Sequence, residues 1–265
     1  MAQEPLILGD AADRSLNPTI NDITTEDLKD ALRKGFADFN AMPTHLPFLC
    51  LIYPVITFVA IRYYGNYDVL PLAFPLLAGY TLIGPLVAIG MYELSRRRET
   101  GADISRWHAF EVIHSPQILS IAGVALVLMG LYFVWMMAAW AIYTEFTGGV
   151  APESVEAFAN LVLNTAQGQK LIMVGCSMGL VFSIIVLSIS VISFPMLLDR
   201  NVSIVTAIHT SVSSVFANPV NMMKWGLIVS ASLVIGAIPI FIGLAVVLPV
   251  LGHSTWHLYR KVVQY

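Results

Sequence analysis

Histidine changes charge near neutral pH and is the commonest metal ligand. The six histidines of this 265-residue chain are therefore the first place to look for chemistry. Two of them stand in GHSTWHLYRK (252–261), His253 and His257. At i and i+4 the rings share a helix face and could hold one metal ion. His209 is a candidate third ligand, so His253, His257 and His209 form the candidate metal or haem site. His108, Glu111 and His114 lie close together in sequence. On a helix His108 and Glu111 share a face, whereas His114 is about 240° from His108. His45 opens an apolar segment. All six have a simpler reading, because an amphipathic ring suits a membrane boundary. Interface packing is the preferred reading, ahead of metal or haem binding and of a proton relay.

Other chemistry is thinly represented. Ser188, Ser190 and Ser193 form a polar run in LSISVIS, with no histidine or acid nearby in sequence. Such serines bond back to a helix backbone or across to a neighbour. Cys50 and Cys176 both fall in apolar segments and read as small buried hydrophobes. The sequence has no nucleotide-binding loop, HExxH, CxxC or glycine-rich dinucleotide fingerprint. It requires no cofactor and carries nothing that suggests nucleic acid as a partner.

The elements that must position these residues are membrane helices. The chain is 57% hydrophobic and 12% charged, against about 25% charged in a soluble domain. Leu70–Met91, Gln117–Thr144, Leu171–Leu198 and Trp225–Leu251 contain no charged residue. A helix rises ~1.5 Å per residue and needs about 20 residues to cross ~30 Å of hydrocarbon. The expectation is an all-α polytopic membrane protein with six spans, at about 46–64, 70–94, 117–143, 170–197, 221–238 and 240–259. The last two are read as a tight hairpin because Gly236, Pro239 and Gly243 punctuate a run too long for one crossing. The start of the chain lacks a basic region followed by a long apolar core, so no cleavable signal peptide is expected. Residues 1–23 are read as a disordered tail and 24–262 as one transmembrane domain.

Lysine and arginine accumulate on the cytoplasmic side of membrane proteins. With the N-terminus inside, twelve of the fourteen basic residues become cytoplasmic, and only Arg62 and Lys170 lie outside. This predicts an inner-membrane protein with both termini cytoplasmic. A surface helix is expected in the outer loop at PESVEAFANLVL (152–163).

Three amphipathic segments precede outward spans. TTEDLKDALRKGFADFNAMP (24–43) puts Leu28, Ala31, Leu32, Phe36 and Phe39 on one face, with a capping-box start at Thr24 and Asp27. DISRWHAFEVIHSP (103–116) predicts a shorter helix capped by Asp103. NVSIVTAIHTSVSSVFANP (201–219) puts Val205, Ile208, Val212 and Phe216 together. Each is expected to lie on the cytoplasmic surface and to end at a proline: Pro43, Pro116 and Pro219. The inward spans match as well. GYTLIGPLVAIGMYELSRR (79–97) aligns without gaps to GLAVVLPVLGHSTWHLYRK (243–261), pairing Pro85 with Pro249 and Tyr92 with Trp256. A threefold internal repeat follows, with units of about 24–98, 102–200 and 201–262.

The run SISVISFPMLLDRNVSIVTAIHTSVSSVFANPVNMMKWGLIV, then GLAVVLPVLGHSTWHLYRKVV, and earlier PLLAGYTLIGPLVAIGMYELSRRRETG, resemble a family of bacterial integral membrane proteins of unknown function. Some members carry the label "putative cytochrome c oxidase subunit". The likeness covers about 25–262. It implies a multi-span inner-membrane protein with no established activity. A haem–copper catalytic subunit is a bundle of about twelve spans with six histidine ligands within the membrane, and this chain does not fit that description. An accessory or assembly role beside such a complex stays open.

Charge at membrane depth usually marks transport. No span centre carries any, and Arg62, Glu93, Lys170 and Lys224 all lie near span ends. The expected function is a non-enzymatic accessory or assembly partner of a larger membrane complex, with respiratory-complex subunits as candidate partners beside the lipid bilayer. A carrier or channel for a neutral or amphipathic solute, with a midplane cavity bounded by Pro85, Pro195 and Pro249, is the second reading. A metal- or haem-handling protein is the third.

Overall fold

The structure is a computed structural model and describes residues 18–42, 71–103, 106–239 and 243–265. The expected first span, His45, Cys50 and most of the N-terminal tail lie outside the described residues.

Helix α1 (Thr25–Ala41) starts where the sequence says it should. The Asp27 N–H donates to Thr24 Oγ1, and the Thr24 N–H donates to the Asp27 carboxylate at 2.9 Å. This reciprocal cap satisfies two donors that the first turn would otherwise leave orphaned. Its buried face is Leu28, Ala31, Gly35 and Asp38, whereas Phe36 is exposed. That stripe is displaced from the expected one, because α1 meets its neighbour through a glycine. A Cβ on Gly35 would fall 2.6 Å from the Ser254 backbone nitrogen.

Helix α2 (Ala73–Glu99) continues through Pro85 and ends in Arg96, Arg97 and Arg98. A 3-10 helix over Arg106–His114 follows, in place of the expected α-helix. Its tighter turn eclipses positions three apart, which brings His108 Nε2 to 3.5 Å from Glu111 Oε1. Helix α3 (Ile118–Thr147) stops at Gly148, whose φ of 71° suits a left-handed C-cap that only glycine adopts freely. Helix α4 (Val155–Asn164), capped by Ser154, is the expected surface helix.

Helix α5 (Ala166–Ser190) and the short α6 (Ser193–Asp199) replace the expected unbroken fourth span. A proline ring clashes with the carbonyl four residues earlier. For Pro195 that carbonyl belongs to Val191, where the helix breaks. The break is fastened to α7 (Ile204–Ala217): the Ile192 N–H donates to Ser211 Oγ at 3.1 Å, and the Ser193 hydroxyl donates to the Ala207 carbonyl at 3.1 Å. The protein face of α7 is therefore Ala207, Thr210, Ser211 and Ser214, while Val205 and Phe216 point outward.

Helix α8 (Pro219–Ala237) begins with proline in its first turn, where a missing N–H costs nothing. Helix α9 (Leu244–Val262) returns beside it, as the hairpin reading expected. Gly243 approaches so closely that a Cβ there would meet the Gly236 carbonyl at 2.8 Å. Strands β1 (Thr19–Ile20) and β2 (Val263–Gln264) pair antiparallel and tie the N-terminal segment to the C-terminus.

Three helices are long and apolar enough to cross a membrane among the described residues: α3, the α5–α6 pair and α8. Their surfaces carry Leu126, Met129, Phe133, Met137, Met173, Leu180 and Leu227 exposed. Cys176 is exposed on the same kind of surface of α5, so it is not the buried hydrophobe the sequence suggested. The chain is thus an all-α membrane protein, apart from its two-residue strands.

Candidate functional site

The polar residues of the described chain gather where α1, α2 and α9 meet. Asp38, near the end of α1, is 5% exposed and accepts three hydrogen bonds. Ser95 Oγ donates to its Oδ2 at 2.6 Å, Arg98 Nη1 to its Oδ1 at 2.7 Å, and His257 Nε2 to Oδ2 at 2.8 Å. Ser95 Oγ also lies 2.7 Å from His253 Nδ1. With the serine proton given to Asp38, that contact assigns the His253 proton to Nδ1. The two histidines do share a helix face, and both reach one carboxylate: His257 directly and His253 through Ser95.

Burial alone would raise the Asp38 pKa, but the hydrogen bonds from His257 and Ser95 and the nearby positive charge outweigh it. The carboxyl is held below its ordinary value and is ionised at neutral pH. Removing a charge from water is costly unless it is paired and hydrogen-bonded, and Asp38 is both.

A second tier surrounds this centre. Glu93, 3% exposed, takes Arg96 Nε at 2.8 Å and Arg97 Nε at 2.7 Å. Arg97 reaches on to Glu111 of the 3-10 helix. Trp256 Nε1 donates to Glu99 at 3.1 Å, which also takes Arg260. Lys261 bridges Asp27 at 3.0 Å and Asp30 at 2.9 Å. The carboxyls of Asp27 and Asp30 are held low, foremost by the Thr24 hydroxyl and by Arg33 respectively, with Lys261 adding to both. Asn218 accepts from the Ile23 N–H at 2.8 Å and donates to the Asn21 carbonyl at 3.0 Å, fastening the chain ahead of α1.

The candidate metal set is not assembled here. His253 and His257 are committed to Ser95 and Asp38, while His209 is exposed on α7. Among the described residues no group of three or more His, Cys, Asp or Glu side chains could hold a metal ion. His114 is exposed at the end of the 3-10 helix. Ser188 and Ser190 bond back to Ile184 and Val186 carbonyls, as serines in apolar helices do.

Sequence reasoning missed Asp38 and Ser95. A signal for Asp38 existed in the 3-4-3 spacing of Leu28, Ala31, Gly35 and Asp38, with a glycine marking close approach. Ser95 lies among charged residues in ELSRRR, and nothing local announces that it turns inward.

Residues 73–199 match the model of a family described as "Predicted integral membrane protein (DUF2189)". Over that stretch the chain carries the signature of these integral membrane proteins, whose function is unknown, in keeping with the resemblance seen in the sequence. The match includes α2 through α6 and leaves α1, α7, α8 and α9 outside it. No curated protein and no solved structure matches the chain.

Proposed function

We propose that this protein is a non-enzymatic accessory or assembly partner of a larger inner-membrane complex, with a respiratory oxidase as the first candidate. In this reading six spans repeat as three units, both termini are cytoplasmic, and α1, the 3-10 helix and α7 lie at the membrane surface. The observation that carries the reading is the sparse burial of the apolar helices. Only 22% of the apolar window of α3 and 17% of that of α8 is covered by the protein. Lipid can cover such surfaces, but so can partner helices, and small residues favour the latter. Gly130 and Gly175 stand on α3 and α5 with nothing among the described residues within 4 Å of where a Cβ would be. The charged residues, by contrast, are largely spent on one another at the α1–α2–α9 junction.

The broken helix at Val191–Ile192 favours a second reading, a carrier for a neutral or amphipathic solute, since carriers bind at discontinuous helices. Against it, residues 191–197 are buried and α7 occupies the break.

The test is purification from native membranes in a mild detergent, read by mass spectrometry. Stoichiometric recovery of respiratory-chain subunits supports the accessory reading. Recovery of the chain alone across several detergents overturns it and moves the assignment to the carrier.

A further inference from the structure

Two buried side-chain atoms lack a hydrogen-bond partner among the described residues, and one is His253 Nε2. Native proteins keep few such atoms, and this one ends an unbroken chain of polar contacts. His257 Nε2 to Asp38 Oδ2 is 2.8 Å, Asp38 Oδ2 to Ser95 Oγ is 2.6 Å, and Ser95 Oγ to His253 Nδ1 is 2.7 Å. The chain runs from partial exposure to none: the His257 side chain is 13% exposed, whereas Ser95 and His253 are at 0%. Imidazole and carboxyl groups take up and release protons near physiological pH, and a hydroxyl passes them on by accepting one while donating another.

We propose that His253 is a proton-binding site, filled from solvent at His257 through Asp38 and Ser95. A proton taken up by His257 passes to the Asp38 carboxylate. The Asp38 O–H then gives its proton to Ser95 Oγ as the Ser95 O–H gives its own to His253 Nδ1. This last step requires His253 first to pass from its resting Nδ1–H form to the tautomer protonated on Nε2. Asp38 returns to the carboxylate, His253 becomes imidazolium, and no other bond is made or broken. The groups facing His253 are Asp38 from α1, Arg98 and the Met91 carbonyl from α2, and His257 on α9 itself. Burial of the ring opposes the imidazolium most; the Asp38 carboxylate favours it, and protonated His257 and Arg98 oppose it. Relative to the resting Nδ1–H form, the imidazolium adds an Nε2–H with no acceptor within hydrogen-bond distance in this packing, so proton binding loosens α9 from α1 and α2. The site thereby couples pH on the exposed side to the α1–α9 contact.

The experiment is nitrogen NMR of the full chain, labelled at histidine, in phosphatidylcholine nanodiscs from about pH 8 to about pH 4, spanning the ordinary imidazole value. The expected result is one reversible titration that vanishes in His253→Gln. Its midpoint moves by about one unit or more in Asp38→Asn, the size expected for loss of a neighbouring charge. In Ser95→Ala, proton exchange at His253 slows by about tenfold or more, as loss of a positioned proton donor implies. Where a variant fails to fold, the wild-type titration decides. A His253 that stays in one neutral tautomer across the range, in a chain still folded, overturns the proposal. So does a titration unchanged in folded Asp38→Asn and Ser95→Ala.

Discussion

Helices α3 and α9 are both apolar by composition at their centres, yet they are built for different surroundings. On α3 the buried residues are a sparse stripe of Ile121, Val124, Leu128, Trp135, Ala139 and Tyr143, with exposed Leu126, Phe133 and Met137 between them. On α9 nearly every residue from Leu251 to Tyr259 is buried, and that stretch carries two histidines, a serine, a threonine and a tryptophan. Where a helix is left uncovered by the rest of the chain, it presents a largely apolar surface. Where the protein buries polar atoms, it supplies partners for nearly all of them, His253 Nε2 being the exception on α9, because each unpaired one costs several kcal/mol in lipid, on the order of 2–7. The junction of α1, α2 and α9 is thus held by specific, directional contacts, whereas α3, α5 and α8 are held by packing that tolerates change.

That contrast breaks first at Asp38. Asp38→Ala leaves His257, Ser95 and Arg98 without their shared acceptor. We expect about 3 kcal/mol of destabilisation, the low end for a broken buried pair because Arg98 keeps access to water. Denaturant unfolding in detergent micelles measures it. A loss under about 0.5 kcal/mol, the usual size at an unconstrained surface site, would show that the cluster contributes little.

Gly35→Ala is next. Its Cβ would sit 2.0 Å from Ser254 Oγ and 2.6 Å from the Ser254 backbone nitrogen. The hydroxyl can rotate away but the backbone cannot, so α1 and α9 must separate. We expect about 2 kcal/mol, typical of overpacking, together with faster hydrogen exchange across α1. The comparison sharpens with Gly130→Ala on α3, where the Cβ meets nothing within 4 Å. That substitution should leave the unfolding transition where it is.

Acid offers a third test. Asp38 titrates below its unfolded value of about 3.9, so its stabilising contribution is complete above that pH and is lost as pH falls through the folded value. The stability gap between wild type and Asp38→Asn should therefore be constant at neutral pH and close only in strong acid. A gap that closes near pH 6 would assign the contribution to a histidine instead.

The smallest destabilisation is expected at Tyr259→Phe, which keeps the ring but loses the O–H bond to Asp199 at 2.8 Å, a carboxylate that Arg200 and Arg260 still pair. About 1 kcal/mol is expected, the net worth of one hydrogen bond, read as a modest shift in the same unfolding curve.

Much of this architecture is written locally. The cap at Thr24 and Asp27 and the hairpin marked by Gly236 and Gly243 each depend on residues within a few positions, and the sequence announces them. The break at Val191 was only half legible. Pro195 was visible, but whether a helix survives a proline depends on who receives the freed backbone groups, and Ser211 is 16 residues away from Pro195. The apolar face of α7 was legible as a face but not as to where it points. Small polar residues pack against protein and large apolar ones turn outward, the reverse of a soluble helix. The candidate site was the least legible. His253 and His257 could be paired from spacing, but their partners Ser95 and Asp38 are 158 and 219 positions away, and only the tertiary fold brings them together.

The most direct test of the account concerns what covers the open helices. Native electrophoresis of membranes carrying wild-type chain should be compared with Gly130→Trp, a position where a Cβ meets nothing within 4 Å among the described residues. If α3 is a docking surface, wild type migrates with a stoichiometric partner, and Gly130→Trp releases the chain while its own unfolding transition stays unchanged. If wild type migrates alone, or the complex survives the tryptophan intact, α3 faces lipid and the accessory assignment is contradicted.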